Sequence, residues 1–319
     1  MSSAPSYVIC IPTLNAGKFA QELIAGLRQQ RVPTPTLVID SGSSDGTPEL
    51  FEHEGFRVHR IPCEAFNHGA TRSLCVEMNP DAEIVIFLTQ DALLSDSNSL
   101  SLLLSAFEDN LVCAAYGRQL PRLGAGPIEA HARIFNYPEI SRIKSLSDAK
   151  VLGIKVSFIS NSFAAYRRSA LLEVGGFPSR TILGEDTYVA AKMLLSGLKI
   201  AYVAEAKVYH SHDYSLSEEF RRYFDTGVFH ALEPWIRQRF GQPEGEGLRY
   251  IRSELALLWG ENPWLVPSSL IRSILKLLGF KLGLAERFLP FWLKRRLSMH
   301  QHFWQSRTKL PYPMSETGL

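Results

Sequence analysis

The sequence predicts an α/β fold, with a mostly parallel sheet flanked by helices and a C-terminal amphipathic helical extension. Three observations support this prediction. Short apolar runs, such as residues 7–11 and 83–88, alternate with segments of helical periodicity. The 319 residues, 45% of them hydrophobic, can bury one such core and leave a segment over. After about Gly260 the pattern changes to apolar and basic residues at helical spacing, which is typical of an appendage.

Predicted strands alternate with helices in the N-terminal half. The apolar run at residues 7–11 is typical of a buried parallel strand, and Pro12 follows it. Further strands are predicted at residues 37–39, 57–61 and 83–88, and helices at residues 16–30, from Pro48 onward and at 71–78. In such a sheet, ligands bind outside the carboxyl ends of the strands.

The second half of the chain is less regular. Strands are predicted at residues 156–166, 200–203 and 207–209, and helices at residues 168–174 and 187–196. Residues 118–137 and 214–235 are expected to form loops, and loops of this kind set the specificity of a site.

Polar residues recur where the predicted strands end. Those that follow the first, second and fourth strands are Thr13, Asn15, Asp40, Asp45, Gln90 and Asp91. Because the carboxyl ends of parallel strands meet at the same edge of a sheet, we expect these side chains to line one edge.

Asp40 and Asp45 belong to a Gly- and Ser-rich turn after the second strand. Their carboxylates can accept hydrogen bonds from the imide N–H of a uracil or thymine ring and from a ribose hydroxyl. The same residue types also form turns and cap helices. The residues by themselves leave both interpretations open.

Asp91 ends an apolar strand, where a lone carboxylate is costly unless it binds a cation or a hydrogen-bond donor. A divalent metal there could bridge Asp91 to a diphosphate and neutralise the charge of a leaving group. His210 is a candidate second ligand, with His212 as a less favoured substitute. A capping role for Asp91 and a structural role for His210 are the alternatives.

Glu185 and Asp186 stand at the start of a predicted helix in the sequence GEDTY. Either carboxylate could act as a general base that removes a proton from an acceptor hydroxyl. Acids at this position also interact favourably with the helix dipole, which is the alternative interpretation.

Composition sets further limits. The formal net charge of +2 excludes neither acidic substrates nor membranes. Cys10, Cys63, Cys75 and Cys113 show no CxxC spacing, so we expect reduced thiols. The N-terminus has no basic n-region or long apolar segment, so secretion is not expected. No stretch reaches the roughly 18 apolar residues that a membrane span needs.

The C-terminal tail combines basic and apolar residues. Lys and Arg outnumber acidic residues nine to one between residues 272 and 309. Large apolar residues recur at helical intervals over 270–293, which is typical of helices lying at a membrane interface. We predict a catalytic domain over residues 1–258 and a basic amphipathic tail over residues 259–319 that associates with a membrane. Packing on the domain, or on a second subunit in a homodimer, is the alternative; nucleic-acid binding is not expected, because no recognition motif is present.

Seven short motifs follow one another along the chain. They are IPTLN (11–15), DSGSSDGT (40–47), FNHGATR (66–72), FLTQDA (87–92), GGFP (175–178), GED (184–186) and VYHSH (208–212). Their succession resembles the inverting GT-A glycosyltransferases of family 2 and covers nearly the whole chain. More narrowly, FNHG, TQDA and the segment 278–304 resemble the bacterial rhamnosyltransferases of that family.

The resemblance implies a role for each motif. Asp91 and His210 would hold Mg²⁺ or Mn²⁺, and Asp186 would be the catalytic base with Glu185 beside it. The family's DxD is here Thr89-Gln90-Asp91, which has lost its first acid, so we expect the metal to bind together with the donor. The residues implied to bind the donor nucleotide are Pro12, Thr13, Asn15, Asp40, Ser41, Asp45, Asn67, His68, Arg72 and Gln90.

The implied reaction is transfer of L-rhamnose from dTDP-β-L-rhamnose, with inversion, to a hydroxyl of a lipid-linked saccharide or of a lipopolysaccharide. The expected location is cytoplasmic, on the inner leaflet of the inner membrane. A transferase that uses another sugar nucleotide, such as a UDP-hexose, and an inactive scaffold of a membrane complex are the alternatives. The joint presence of Asp91, Asp186 and His210 argues against the scaffold.

Overall fold

The structure, a computed structural model, describes residues 5–241 and 244–307, and its strands form one sheet with helices on both faces. The strands of these residues are β1 (Tyr7–Thr13), β2 (Thr36–Asp40), β3 (Arg57–Arg60), β4 (Ile84–Leu88), β5 (Leu93–Leu94), β6 (Val112–Leu120), β7 (Arg142–Lys144), β8 (Phe163–Arg167) and β9 (Lys199–Tyr209). They lie in the order β3-β2-β1-β4-β8-β6-β9-β5, and β7 also pairs with β9.

The first four strands are parallel, as the sequence predicts. β1 pairs with both β2 and β4, and β2 pairs with β3. β8 is antiparallel to its neighbours β4 and β6, whereas β6 and β9 are again parallel. Alternate residues of β1 enter different cores: Val8 and Cys10 face one side of the sheet, and Ile9 and Ile11 face the other. Burial on both faces explains the continuous apolar runs.

Helices cover both faces of this sheet. Those of the described residues are α1 (Gly17–Arg28), α2 (Thr47–His53), α3 (His68–Glu77), α4 (Ser99–Ser105), α5 (Pro127–Asn136), α6 (Ala149–Leu152), α7 (Arg168–Glu173), α8 (Glu185–Leu195), α9 (Leu216–Leu232), α10 (Pro234–Phe240), α11 (Glu244–Glu261), α12 (Val266–Leu284), α13 (Phe291–Leu297) and α14 (Gln301–Arg307). The four cysteines, all within the described chain, are free thiols.

The three strand predictions in the second half are wrong in extent. The predicted strand at 156–166 begins only at Phe163, because Gly153–Ser157 forms a 3₁₀ helix and the following polar residues turn towards α8. The two strands predicted at 200–203 and 207–209 are one strand, β9. Its pairing with β6 shifts register between Gly117 and Arg118, a local irregularity that the sequence does not reveal.

The predicted loop at 214–235 is also wrong, since most of it is the helix α9. Ser215 caps this helix: its hydroxyl accepts a hydrogen bond from the Glu218 N–H at 3.3 Å, and its own N–H donates to the Glu218 carboxylate at 2.9 Å. This S-x-x-E capping box is the signal that predicts a helix start here. The predicted loop at 118–137 likewise contains the end of β6 and the helix α5.

The helical extension packs on α9 through close contact between backbones. A Cβ atom added at Gly279 would lie 2.4 Å from the Phe220 carbonyl oxygen, and one added at Gly283 would lie 2.1 Å from the Phe224 carbonyl oxygen. Only glycine fits at these two positions of α12. The sequence pattern of large apolar residues therefore predicts the helix but misses the residues that dock it.

The end of the described tail also packs on the catalytic core. Trp304 is 2% exposed and belongs to the same apolar cluster as the strands of one sheet face.

Helix α11 continues through the predicted boundary at residue 258, and the division into two domains stays a prediction. Of the basic residues counted in the tail, Lys309 lies outside the described residues. Within those residues, each helix is too short or too polar to span a membrane.

Candidate active site

A cavity of about 780 Å³ opens at the carboxyl ends of β4 and β9. Its wall combines the strand ends with the N-terminal ends of α3 and α8 and with residues of α9 and α12. The residues predicted from sequence that line it are His68, Arg72, Asp91, Glu185, Asp186, His210 and His212. The structure thus brings the predicted metal ligands and the predicted base into one cavity.

Asp91, His210 and His212 form a compact cluster at this edge. The Asp91 Oδ2 atom lies 3.3 Å from His210 Nε2 and 3.8 Å from His212 Nδ1. One potential ligand atom from each residue lies within 4.8 Å of the other two. One carboxylate and two imidazoles are a suitable donor set for a transition metal such as Mn²⁺. His212, the less favoured candidate, belongs to the same cluster as His210.

The hydrogen bonds around His210 determine which ring nitrogen is free. Gln119 Oε1 lies 2.6 Å from Arg133 Nη1 and 2.9 Å from His210 Nδ1. Because a guanidinium only donates, the Gln119 atom facing it is the amide oxygen, so His210 Nδ1 carries the proton. In the neutral ring, the Nε2 lone pair then faces the Asp91 carboxylate. Two lone pairs in contact fit a bound cation, which supports the metal assignment.

Burial and charge set the protonation states of the cluster. Burial raises the pKa of Asp91, but a proton on His210, or on His212, would hold that pKa well below its usual range, so Asp91 is the group of the cluster that ionises first. Burial lowers the pKa of His210, and burial together with His210 lowers the pKa of His212 to about 3. The cluster therefore offers one carboxylate and two neutral imidazoles, the forms that bind metal.

Glu185 is held in a buried ion pair. Its Oε1 atom lies 3.0 Å from Arg72 Nη1 and accepts a hydrogen bond from Asn161 Nδ2, also at 3.0 Å. Both partners of the ion pair are 5% exposed. Burial alone would raise the pKa of Glu185, but Arg72 and the other partners hold it below its usual value. Glu185 is thus an anion with its oxygen already engaged, and a poor proton acceptor.

Asp186 has the opposite character. Its carboxylate accepts hydrogen bonds from the backbone N–H groups of Thr187 at 2.7 Å and Asn161 at 3.3 Å, and it is part of the cavity wall. Burial, and then the negative charge of Glu185, raise the pKa of Asp186 to about 6. Two neighbouring carboxyl groups with pKa values driven apart are typical of an acid–base site. Of the two, Asp186 is the one suited to take a proton.

The strand-end residues predicted to bind nucleotide form a separate hydrogen-bonded group beside the cavity. We name this group, Thr13, Asn15, Asp40, Ser41 and Asp45, the shelf. Asp40 accepts hydrogen bonds from Thr13 Oγ1 at 3.1 Å and from the Ser43 N–H at 2.9 Å. The Ser41 hydroxyl donates to the Thr13 carbonyl at 2.7 Å. Asp40 therefore orders the turn, which was the alternative interpretation, and its role towards a nucleotide stays a prediction.

Asp45 and Asn15 organise the same shelf. Asp45 accepts hydrogen bonds from the Gly17 N–H at 2.8 Å and from Thr47 Oγ1 at 2.6 Å, while its side chain remains exposed. Asn15 has a φ of 50° and accepts a hydrogen bond from the Ser44 N–H at 2.9 Å. These contacts join the loop after β1 to the turn after β2.

Gln90 connects the shelf to the end of β4. Its side-chain amide accepts from the Leu14 N–H at 2.7 Å and donates to the Leu14 carbonyl at 3.1 Å. Pro12 lies within β1, in register with Ile39 of β2, rather than in the loop that follows the strand. Nucleotide binding by Gln90 and Pro12 stays a prediction.

The FNHG motif has a clear structural role. Asn67 caps α3 by accepting hydrogen bonds from the N–H groups of Gly69 and Ala70, and its Nδ2 donates to the Ser179 carbonyl at 3.0 Å. A Cβ atom at Gly69 would lie 1.9 Å from the Pro178 carbonyl oxygen, so glycine is required where the GGFP loop crosses the helix. Asn67 is part of the helix cap, whereas His68 and Arg72 extend from the same helix into the cavity wall.

Several residues of the site were not found from the sequence. Gln119 positions His210, and Asn161 contacts both Glu185 and Asp186. Arg122 lies 3.7 Å from Asp91 Oδ2, and its guanidinium lies 4.3 Å from the centre of the Phe19 ring. His300 belongs to the tail yet lines the cavity. None of these four follows a recognisable motif. Only the fold brings Gln119, Asn161 and His300 to the cavity and Arg122 to Asp91.

Comparison with known proteins identifies relatives of this chain. The family model for glycosyl transferase family 2 matches residues 8–175. The O-antigen chain rhamnosyltransferase RfbN of Salmonella typhimurium is 47% identical over 300 residues, which cover 93% of this chain and 96% of that protein. The O-antigen chain rhamnosyltransferase WbaN of Salmonella anatum is 44% identical over 304 residues, covering 95% of this chain and 96% of that protein.

A solved structure supports the fold. The mannosyltransferase PcManGT of Pyrobaculum calidifontis, in complex with GDP-Man and Mn²⁺, superposes with a TM-score of 0.55. It is 18% identical, and the match covers 97% of this chain and 87% of that one. The predicted GT-A fold is confirmed by this likeness. The family match and the extent of identity to RfbN and WbaN establish that the chain belongs to glycosyl transferase family 2 and is a glycosyltransferase.

Proposed function

We propose that the protein transfers L-rhamnose from dTDP-β-L-rhamnose to a hydroxyl of a lipid-linked saccharide or of a lipopolysaccharide, with inversion at the anomeric carbon. The observation that carries the proposal is one cavity that holds both a carboxyl group with a pKa near 6, Asp186, and the cluster of Asp91, His210 and His212. The rhamnose assignment draws on RfbN and WbaN, which are O-antigen chain rhamnosyltransferases.

The residues of the cavity suggest a single displacement. The Asp186 carboxylate takes the proton of the acceptor hydroxyl as its oxygen attacks the anomeric carbon of the donor. The bond from that carbon to the β-phosphate oxygen breaks, and dTDP leaves with the electron pair. Attack on the face opposite the leaving group converts a β-linked donor into an α-rhamnoside. Glu185 stays ionised beside Arg72 and keeps the pKa of Asp186 raised.

Asp91 and His210 would hold the metal, with His212 beside them. We propose Mg²⁺ or Mn²⁺, which when bound neutralises the charge that develops on the departing diphosphate. Gln119 holds the His210 ring so that Nε2 faces Asp91. Arg122, 3.7 Å from Asp91 Oδ2, places a further positive charge next to the position proposed for the diphosphate. The shelf of Thr13, Asp40 and Asp45 and its neighbours would bind the nucleoside.

The donor is tested by comparing dTDP-rhamnose with UDP-glucose and UDP-N-acetylglucosamine in calorimetric titrations, each with and without Mg²⁺. We expect dTDP-rhamnose to bind best, and only when metal is present, because one carboxylate holds a metal weakly without the oxygens of the diphosphate. Preference for a UDP-sugar would favour the alternative transferase and refute the rhamnose assignment. Failure of all three donors to bind would favour the inactive scaffold.

The tail presents an apolar and basic surface that we propose lies on the inner leaflet of the inner membrane, where the acceptor would be presented. The surface comprises exposed apolar residues of α12, of α13 and of the 3₁₀ turns that precede these two helices, and we name it the tail surface. Its members are Trp264, Leu270, Ile271, Ile274, Leu277, Leu278, Phe288, Phe291 and Trp292, each between 41% and 74% exposed. Lys281, Arg287 and Arg296 lie in the same segment and suit anionic headgroups.

Vesicle flotation tests this surface. We expect the protein to float with vesicles of phosphatidylethanolamine and phosphatidylglycerol. The doubly substituted variant Ile274→Ser/Leu278→Ser should float at least about tenfold less, since it loses two apolar side chains that would enter the lipid. The control is Leu123→Ser, because Leu123 is 93% exposed and lies outside the tail. If the tail surface instead forms a homodimer, sedimentation will show a dimer for wild type and a monomer for the double variant. The double variant will then float to the same extent as wild type.

A further inference from the structure

A short segment of the C-terminal tail, residues 298–300, brings one side chain to the catalytic cavity. His300 lines the cavity together with Glu185 and Asp186. Its ring lies 5.0 Å from the ring of His68, at right angles to it. The sequence predicts that this part of the chain associates with a membrane. Membrane association does not explain why the His300 side chain lies in the cavity.

The position of the segment is fixed by a buried carboxylate on α9. Asp225, 0% exposed, accepts hydrogen bonds from the backbone N–H groups of Met299 at 2.8 Å and His300 at 3.3 Å. Ser298 is also 0% exposed, and Trp304 secures the chain beyond it in the apolar core. Hydrogen bonds to a charged acceptor are stronger than those between neutral groups. The backbone that carries His300 is therefore held on both sides, and its ring is presented to the cavity from a fixed point.

His300 lies on the side of the cavity that carries Glu185 and its neighbour Asp186. Its ring contacts His68 at the start of α3, and Arg72 of the same helix pairs with Glu185 at 3.0 Å. Asp186, the proposed base, marks where the acceptor hydroxyl must lie. Burial, and then the neighbouring His68, lower the pKa of His300 to about 3, so the ring is neutral. A neutral imidazole has one N–H donor and one nitrogen acceptor, which suits the hydroxyls of an uncharged sugar.

We propose that His300 is an acceptor-binding residue, supplied to the cavity by the C-terminal tail, which forms a hydrogen bond with a hydroxyl of the acceptor sugar. The proposal rests on the proposed function, because it needs an acceptor sugar at Asp186. It also gives the tail a second role, since the segment that follows the tail surface completes the site that receives the acceptor. Anchoring to a membrane would not require the tail to place a side chain in the cavity.

The test compares His300→Phe, which keeps an aromatic ring against His68 but has no hydrogen-bonding group, with His300→Gln, which keeps a donor and an acceptor. His302→Phe is the matched control, since His302 is exposed on α14 two residues further on. Transfer of labelled rhamnose from dTDP-rhamnose is measured with n-octyl glycosides of glucose, galactose, mannose and N-acetylglucosamine, using the glycoside that wild type modifies fastest. Binding of dTDP is measured separately by calorimetry.

We expect His300→Phe to raise the KM for the glycoside about five- to tenfold, the effect of one lost hydrogen bond, while the Kd for dTDP stays unchanged. His300→Gln should recover part of this loss, and His302→Phe should match wild type. An unchanged KM in His300→Phe, or a weakened dTDP Kd, would overturn the proposal, the latter by placing His300 on the donor side. Failure of the proposed function would be distinguishable, because wild type itself would then not bind dTDP-rhamnose.

Discussion

Replacing Asp186 by Asn is expected to lower kcat/KM for transfer at least about a thousandfold. The amide cannot take the proton of the acceptor hydroxyl, yet its oxygen can still accept a hydrogen bond from the Thr187 N–H, as the carboxylate does at 2.7 Å. The fold and the cluster of Asp91, His210 and His212 are then preserved, so the Kd for dTDP should not change. Labelled rhamnose transfer and calorimetry with dTDP measure the two quantities in the same preparation.

The pH dependence provides an independent check on the same residue. Because the pKa of Asp186 is raised to about 6, the base is ionised above that pH and protonated below it. We therefore expect kcat/KM of the wild type to rise with pH through about 6 and then to level off. Asp213→Asn, at an exposed carboxylate on the rim of the same cavity, should leave this profile intact. If Asp186→Asn retained most of the activity, or if the acid limb persisted in it, another group would be the base.

The parallel half of the fold could be predicted from sequence because each strand there carries its own signal. β1 and β4 are buried on both faces, so they appear as continuous apolar runs with turn residues after them. β8 and β9 lack that signal: β8 begins only after the polar residues around Asn161, and β9 contains a register shift. Helix α9 carries a capping box at Ser215 that indicates its start, although a loop is predicted over this segment.

The site was predictable to the extent that its residues belong to motifs. Motif order predicts that Asp91, Asp186 and His210 belong to one candidate site, although Asp186 and His210 lie beyond the range 8–175 that the family model matches. Gln119 and His300 could not be identified in this way, because their roles depend on what they face across the cavity. Asn67 shows the converse case: its motif is informative about the family, while its side chain caps a helix.

Replacing Asp91 by Ala is expected to abolish metal binding and to reduce transfer by a factor of about a hundred to a thousand. Thr89 stands where the family has the first acid of DxD, so Asp91 is the one carboxylate of the cluster with His210 and His212. Two neutral imidazoles without it hold Mn²⁺ poorly. Electron paramagnetic resonance of Mn²⁺, with dTDP present, measures the bound metal directly and does not depend on activity.

Thermal protection by dTDP shows whether metal and nucleotide bind together at this cluster. In the wild type, dTDP should raise the Tm more with Mn²⁺ than without it, whereas in Asp91→Ala the two values should coincide. Asp81→Asn, an exposed carboxylate outside the cavity, should behave as wild type. His210→Ala should weaken Mn²⁺ binding more than His212→Ala does, because Gln119 fixes the His210 ring with Nε2 towards Asp91. Full Mn²⁺ binding by Asp91→Ala would show that the metal lies elsewhere. The contact between Asp91 Oδ2 and His210 Nε2 would then be explained by a proton shared between the two atoms.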